Sequence, residues 1–84
     1  MALSVHVVTP EEEVWTGEAT MVVATAADGQ LGVLPGHAPL LALLGQGPLE
    51  IETGGGRVKA TVDGGFLHVA HDRVDVLAEH ASLE

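Results

Sequence analysis

Residues 28–39 reverse the chain twice within twelve positions, and this constrains the fold more than any other stretch. Asp28-Gly29 is a hairpin signal, because the positive φ needed there costs glycine nothing. Pro35-Gly36 reads as a type II turn, with proline presetting φ at the second position and glycine supplying positive φ at the third. Apolar segments flank the stretch on both sides. A helix does not fit between such closely spaced breaks, so the pattern favours short strands.

The remaining sequence repeats that pattern. Residues 3–8 alternate apolar and polar side chains up to Thr9-Pro10, so Leu3, Val5 and Val7 are expected inside and Ser4 and His6 outside. Glu11-Glu12-Glu13 reads as a solvated loop. Gly17 is expected to mark a bulge or bend before the next strand, and Trp15 to anchor the core or its rim. Residues 19–27 are apolar or small on both faces, which predicts a strand covered on both sides. Residues 40–44 fit either a helical turn or a buried strand by period; Pro39 and Gly45 leave too little length for a stable helix.

Gly45-Gln46-Gly47-Pro48 is expected to turn the chain. Residues 49–53 and 57–62 alternate on either side of Gly54-Gly55-Gly56, a hairpin in which Glu50 and Glu52 face Arg57, Lys59 and Thr61. Asp63-Gly64-Gly65 reads as another turn, 66–70 as a strand, His71-Asp72 as a corner and 73–78 as the last strand. Regular short strands with turn signals between them predict an all-β, antiparallel sandwich or barrel.

Composition narrows the function. A chain of 84 residues is one domain, expected to bury only about 60–65% of its unfolded surface, so a partner's surface would help to stabilise it. Without cysteine there is no disulfide framework, as suits a reducing compartment. No secretory signal and no apolar run long enough for a membrane span stand out, so a soluble domain is expected. Three basic residues against twelve acidic ones give a formal charge of −9, which opposes nucleic acid and anionic lipid. A basic or polar protein surface is the compatible partner.

Catalysis is not expected. Ser4 and Ser82 lack a neighbouring base, and neither Asp72 with Asp75 nor Asp28 with His37 forms a recognisable acid–base set. The glycines at 29, 32 and 36 precede no helix, so they make no phosphate loop. His68 and His71 should point apart at a strand end, His6 faces outward and His80 lies near the chain end, so neither a metal site nor a cofactor is expected. His37 reads in two compatible ways, as a brace for its turn or as part of a docking surface. A lipoyl- or biotinyl-type carrier domain is the alternative of this size and charge; it needs a lysine at a hairpin tip, and Lys59 falls inside a predicted strand.

The order D-G-Q-L-G-V-L-P-G-H-A-P-L-L at 28–41, with V-V-T-P at 7–10, W-T-G-E at 15–18, G-G-F-L-H-V at 64–69 and V-D-V-L-A-E at 74–79, resembles the epsilon subunit of F-type ATP synthase. The resemblance covers the whole chain and corresponds to that family's N-terminal domain. It implies a β-sandwich of about ten short strands in two sheets. It also implies a non-catalytic rotor part of the central stalk that binds the gamma subunit, rests on the c-ring and couples proton movement to ATP synthesis in the alpha/beta head. Membrane contact would come only through the complex, on the cytoplasmic side of a bacterial plasma membrane. The residues matching the family's ring-facing loop are Asp28, Gly29, Gln30, Leu31 and Gly32, with Pro35, Gly36 and His37 in the next turn. Gln30 stands where several relatives carry an acid, which implies a hydrogen bond to the ring in place of a charge contact. Leu40, Leu41, Leu43 and Leu44 are the apolar candidates for gamma burial. The family's C-terminal helical hairpin is absent: residues 1–80 correspond to the sandwich, and 81–84 to a natural end, a truncation or a cloning remnant. The ATP-sensing and inhibitory role of that hairpin is therefore not expected here.

Overall fold

A computed structural model describes residues 2–84. Eight strands follow one another, β1 (Leu3–Val8), β2 (Glu13–Ala19), β3 (Met21–Ala26), β4 (Gly29–Val33), β5 (Leu40–Leu43), β6 (Gln46–Thr53), β7 (Gly56–Ala70) and β8 (Arg73–Leu83), with no helix among the described residues. They hydrogen-bond in the order β2-β1-β8-β7-β6-β3-β4, and β5 pairs with β7. All pairs are antiparallel except β1 with β8, which run parallel and are joined by the whole of the intervening chain.

Two strands belong to both layers of the fold. The first half of β7 pairs with β6, and residues 66–69 of β7 pair with β5. β8 runs beside residues 60–70 of β7: its residues 73–77 also pair with β1, while 80–83 lie beside residues 60–63 of β7. The first sheet is thus β2, β1, the start of β8, the end of β7, and β5; the second is the end of β8, the start of β7, β6, β3 and β4. Counting β7 and β8 once in each sheet turns eight strands into ten segments, which accounts for the expected ten.

The two glycine turns expected at 45–48 and 63–65 are bends, not reversals. Gly64 and Gly65 adopt φ of 72° and 105° inside β7. Backbone bonds continue across the bend, from Leu44 N–H to Gly65 O at 2.9 Å and from Gly64 N–H to Gly45 O at 3.3 Å. Glycine signals a change of direction in both cases; the ladder on either side decides whether the chain folds back or runs on. A Cβ on Gly65 would collide with the Leu77 carbonyl oxygen and lie 2.9 Å from the Ala78 Cα, so β8 crosses the bend with no room for a side chain.

The core follows strand alternation. Leu3, Val5, Val7, Leu67, Val69, Val74 and Val76 from the first sheet meet Val22, Val33, Leu49, Ile51 and Val62 from the second, all 0–1% exposed. No polar side chain among the described residues is buried with them. Trp15 packs half-buried at the rim. The bulge is not at Gly17, which pairs regularly with Val5; the register slips between Val7 and Val8 instead, leaving Val14 as the extra residue. Gly17 is small for a different reason, because the Trp15 indole lies over it, 2.8 Å from where a Cβ would sit. The strand expected over 19–27 is interrupted at Thr20, where the chain passes from β2 to β3. In β3 only one face is buried, and Met21, Val23 and Thr25 on the other are half-exposed. Small and β-branched residues on both faces hid that alternation.

The hairpin of β6 and β7 has the expected register, Glu50 opposite Lys59 and Glu52 opposite Arg57, around a two-residue Gly54-Gly55 loop. Residues 81–83 continue β8, with Leu83 opposite Ala60. Gly65→Ala is expected to cost about 3 kcal/mol, from backbone strain and the clash with β8. Gly54→Ala, with open space around its Cβ position, should stay within about 0.5 kcal/mol. Urea unfolding of both variants checks the contrast.

Candidate functional site: an apolar row beside a hairpin tip

The outer face of the first sheet carries a row of apolar side chains set by strand register. Val8 lies opposite Leu77, Leu77 opposite Phe66, and Phe66 opposite Leu43. The next row runs from His6 through Asp75 and His68 to Leu41. Leu41 is 66% exposed, Leu43 59%, Phe66 47% and Leu77 46%, so four large apolar side chains contributed by three strands face solvent together. Between the β1–β2 loop and the bend, Pro10, Phe66, Leu77 and Glu79 line a shallow groove.

The rim of this groove is acidic. Thr9 organises the loop that follows Pro10: its Oγ1 accepts the N–H groups of Glu11 and Glu12 at 3.3 and 3.2 Å, and its own N–H donates to Glu12 O at 2.9 Å. Glu11 and Glu12 follow directly on the groove residue Pro10, and Glu13, paired with Val8, accepts a hydrogen bond from the Thr16 hydroxyl. Arg57 lies away from this face, on the second sheet, donating to Glu50 at 3.1 Å and Glu52 at 2.7 Å. The Glu52 hydrogen bond and the nearby Glu50 charge raise the Arg57 pKa above its ordinary value. On the arginine side this contribution is lost only in strong alkali, so the raised Arg57 pKa gives no pH dependence near neutrality. Arg73 donates to Asp75 at 3.1 Å. Lys59 sits exposed within β7, not at the Gly54-Gly55 tip, so the geometry of a carrier domain is missing.

The structure separates the expected ring-facing residues into two groups. Asp28 forms the β3–β4 tip with Ala27, and Gly29 takes the positive φ, 137°. The two-residue loop is therefore Ala27-Asp28, one position earlier than the glycine alone suggests. Ala27 N–H donates to Leu43 O at 2.9 Å, so the tip adjoins Leu41 and Leu43. Gln30 and Gly32 are exposed on β4, while Leu31 packs against the core. Pro35, Gly36 and His37 lie at the other end of β4, whose five residues at about 3.3 Å each set the two turns roughly 16 Å apart.

The Pro35-Gly36 turn is type II, with Gly36 φ at 85° and His37 N–H donating to Leu34 O at 3.1 Å. His37 Nδ1 contacts Ala38 O at 2.7 Å, a local brace on the turn. Gly36 N–H donates to Asp72 Oδ1 at 2.6 Å.

Among the leucines, alternation divides the set. Leu41 and Leu43 face outward, Leu40 packs half-buried against the core, and Leu44, 6% exposed, belongs to it. Phe66, Leu77 and Val8 complete the row. Their signal in the sequence was the outward phase of strands whose inward phase is already apolar, an excess that a core alone does not require.

With this surface in place, comparison with known proteins is specific. The sequence profile of the ATP synthase delta/epsilon chain beta-sandwich domain matches residues 2–84. The chain belongs to that family. It is 55% identical over 84 residues to the ATP synthase epsilon chain of Frankia casuarinae, covering 99% of both chains. It is 50% identical over 86 residues to that of Streptomyces coelicolor, covering 99% of this chain and 69% of the relative. Among solved structures, a chain of the Euglena gracilis mitochondrial ATP synthase superposes with a TM-score of 0.90 at 26% identity, over 98% of this chain and 53% of that one. This chain thus spans about half of that neighbour's length. A chain in the central stalk and c-ring structure of the Tetrahymena thermophila enzyme shares the fold, with a TM-score of 0.79 at 17% identity.

If the row is surface and not core, Leu43→Ser should change stability by no more than about 0.5 kcal/mol. Leu49→Ala, in the core, should cost about 3 kcal/mol. Denaturant melts of the two variants measure the difference.

Proposed function

We propose that this domain is the foot of the central stalk in an F-type ATP synthase, joining the gamma subunit to the c-ring and passing rotation between them. The carrying observation is the apolar row of Leu43, Phe66, Leu77 and Val8, an exposed surface suited to lasting cover by protein, in a member of the epsilon-chain family. Gamma occupies this row and the adjoining groove. The hairpin tip at Asp28 and Gly29, the β4 residues Gln30, Leu31 and Gly32, and the Pro35-Gly36-His37 turn face the c-ring or the seam between ring and gamma. Gln30 offers an amide there, able to donate and accept, where an acid would only accept.

The domain does no chemistry in this reading. Its groove is lined mainly by apolar side chains, with the Thr9 hydroxyl and the Glu79 carboxylate as the polar exceptions, and its role is attachment with a fixed orientation. In a bacterium the assembly holds it at the cytoplasmic side of the plasma membrane without direct lipid contact, as the formal charge of −9 favours. The acidic rim formed by Glu11, Glu12, Glu13 and Glu79 suits a gamma surface carrying lysine or arginine beside an apolar ridge.

Calorimetry with the purified cognate gamma subunit tests the row. Phe66→Ser combined with Leu77→Ser should weaken association by roughly 30-fold, as loss of a central apolar contact worth about 2 kcal/mol requires. The melting transition of the free domain should be unchanged. Wild-type affinity in that variant would sink the assignment of this face. Titration of the free domain with Mg-ATP should give no saturable micromolar binding, and such binding would overturn the purely mechanical role.

A further inference from the structure

The Pro35-Gly36 turn depends on a residue far away in sequence. In a type II turn the closing bond uses the N–H of the fourth residue, here His37, and leaves the N–H of the third, Gly36, pointing out of the turn. The second bond named above, His37 Nδ1 to Ala38 O, is also internal to the segment. Neither fixes how the segment sits against the sandwich. The Gly36 N–H to Asp72 Oδ1 bond does so across 36 positions of sequence, and its ionised acceptor makes it the strongest kind available to a backbone amide.

Asp72 itself occupies an unusual position. It and His71 form the two-residue loop between β7 and β8, with φ of 58° and 51°, the only non-glycine residues at positive φ among those described. Glycine is the residue that such a loop accepts without strain. Aspartate tolerates the conformation less well, but it brings a carboxylate within reach of Gly36. The corner is anchored in turn, because Ser4 N–H at the start of β1 donates to Asp72 O at 2.8 Å. One residue thus ties β1, the β7–β8 corner and the Pro35-Gly36 turn together, and the turn so held presents Leu34, which is 56% exposed, beside His37.

We infer that Asp72 is a positioning residue for docking: its carboxylate fixes the tilt of the Leu34–His37 turn and so the geometry in which Leu34 and His37 meet the rotor partner. This rests on the reading that the turn touches the gamma and c-ring assembly. The strained corner is retained because the side chain it carries is used elsewhere.

The test uses the full chain, free and with the cognate gamma subunit assembled on its c-ring. Asp72→Gly removes the acceptor while relieving the positive φ, so the variant should fold with a melting point equal to or above that of the wild type. Its Gly36 amide should exchange with solvent about tenfold faster, and its affinity for the assembly should fall by a similar factor, the loss of one charge-assisted hydrogen bond. Asp72→Asn keeps a carbonyl acceptor and should recover both quantities to within about threefold. A bond that merely stabilised the fold would change the melting point and not the affinity. Unchanged Gly36 exchange in Asp72→Gly would overturn the inference, as would faster exchange with wild-type affinity. Leu34→Ala with His37→Ala separates the two levels: if it binds like the wild type, the turn is outside the contact and the underlying reading fails, whatever the exchange data show. Weaker binding in that variant, together with the Asp72→Gly loss and the Asp72→Asn recovery, supports both.

Discussion

The close crossing at Gly65 is the constraint on which the rest of this domain depends. The backbone of β8 passes so near that no side chain fits, and that proximity lets β7 and β8 leave one sheet and enter the next with only one position of their ladder skipped. Two consequences follow from the shared bend. The core is closed on one side by backbone whose pairing resumes directly after one skipped position, Gly64 and Glu79, and no polar side chain among the described residues is buried there. Beyond the bend the outward phase of β7 and β8 begins with Phe66 and Leu77, placed opposite one another by register. The corner that seals the inside therefore also builds the middle of the apolar row outside.

That row makes sense of the domain's size. An 84-residue chain has little interior, and its core is assembled almost wholly from valine, leucine, isoleucine and alanine in strict alternation. A second apolar surface on the outside of such a small protein would be a solubility burden in isolation. Within a rotor it becomes an attachment face. The acidic loop held by Thr9 at one border, and the Ala27-Asp28 tip at the other, limit how a partner can approach it.

The sequence disclosed the parts of this fold that depend on neighbours close along the chain. The β6–β7 hairpin, the inward set of β1, the type II turn at Gly36 and the corner at His71-Asp72 all follow from alternation and local turn chemistry. What it concealed depends on strands far apart. Gly45 and Gly64 look like turn residues because nothing local says that a paired ladder continues through them. Gly17 looks like a bulge because the indole that needs its space is seen only once Trp15 is placed. The same holds at the candidate site. Leu41 and Leu43 were legible as apolar residues but not as outward ones, since the phase of β5 is set by its pairing with β7. The Asp72 carboxylate was legible only as a corner residue, because its acceptor role requires the Gly36 amide to be brought beside it.

The parallel pairing of β1 with β8 also orders events during synthesis. Residues 4–8 find their second neighbour only in residues 73–77, so β1 waits until β8 has been made. Until then β1 has β2 alone, a two-stranded ribbon that is marginal in water. The central strands pair mainly with near neighbours in sequence and are able to form earlier. Closure by β8 then completes the first sheet and, in the same step, the apolar row, so a nascent chain has no finished binding face to offer before its body is closed.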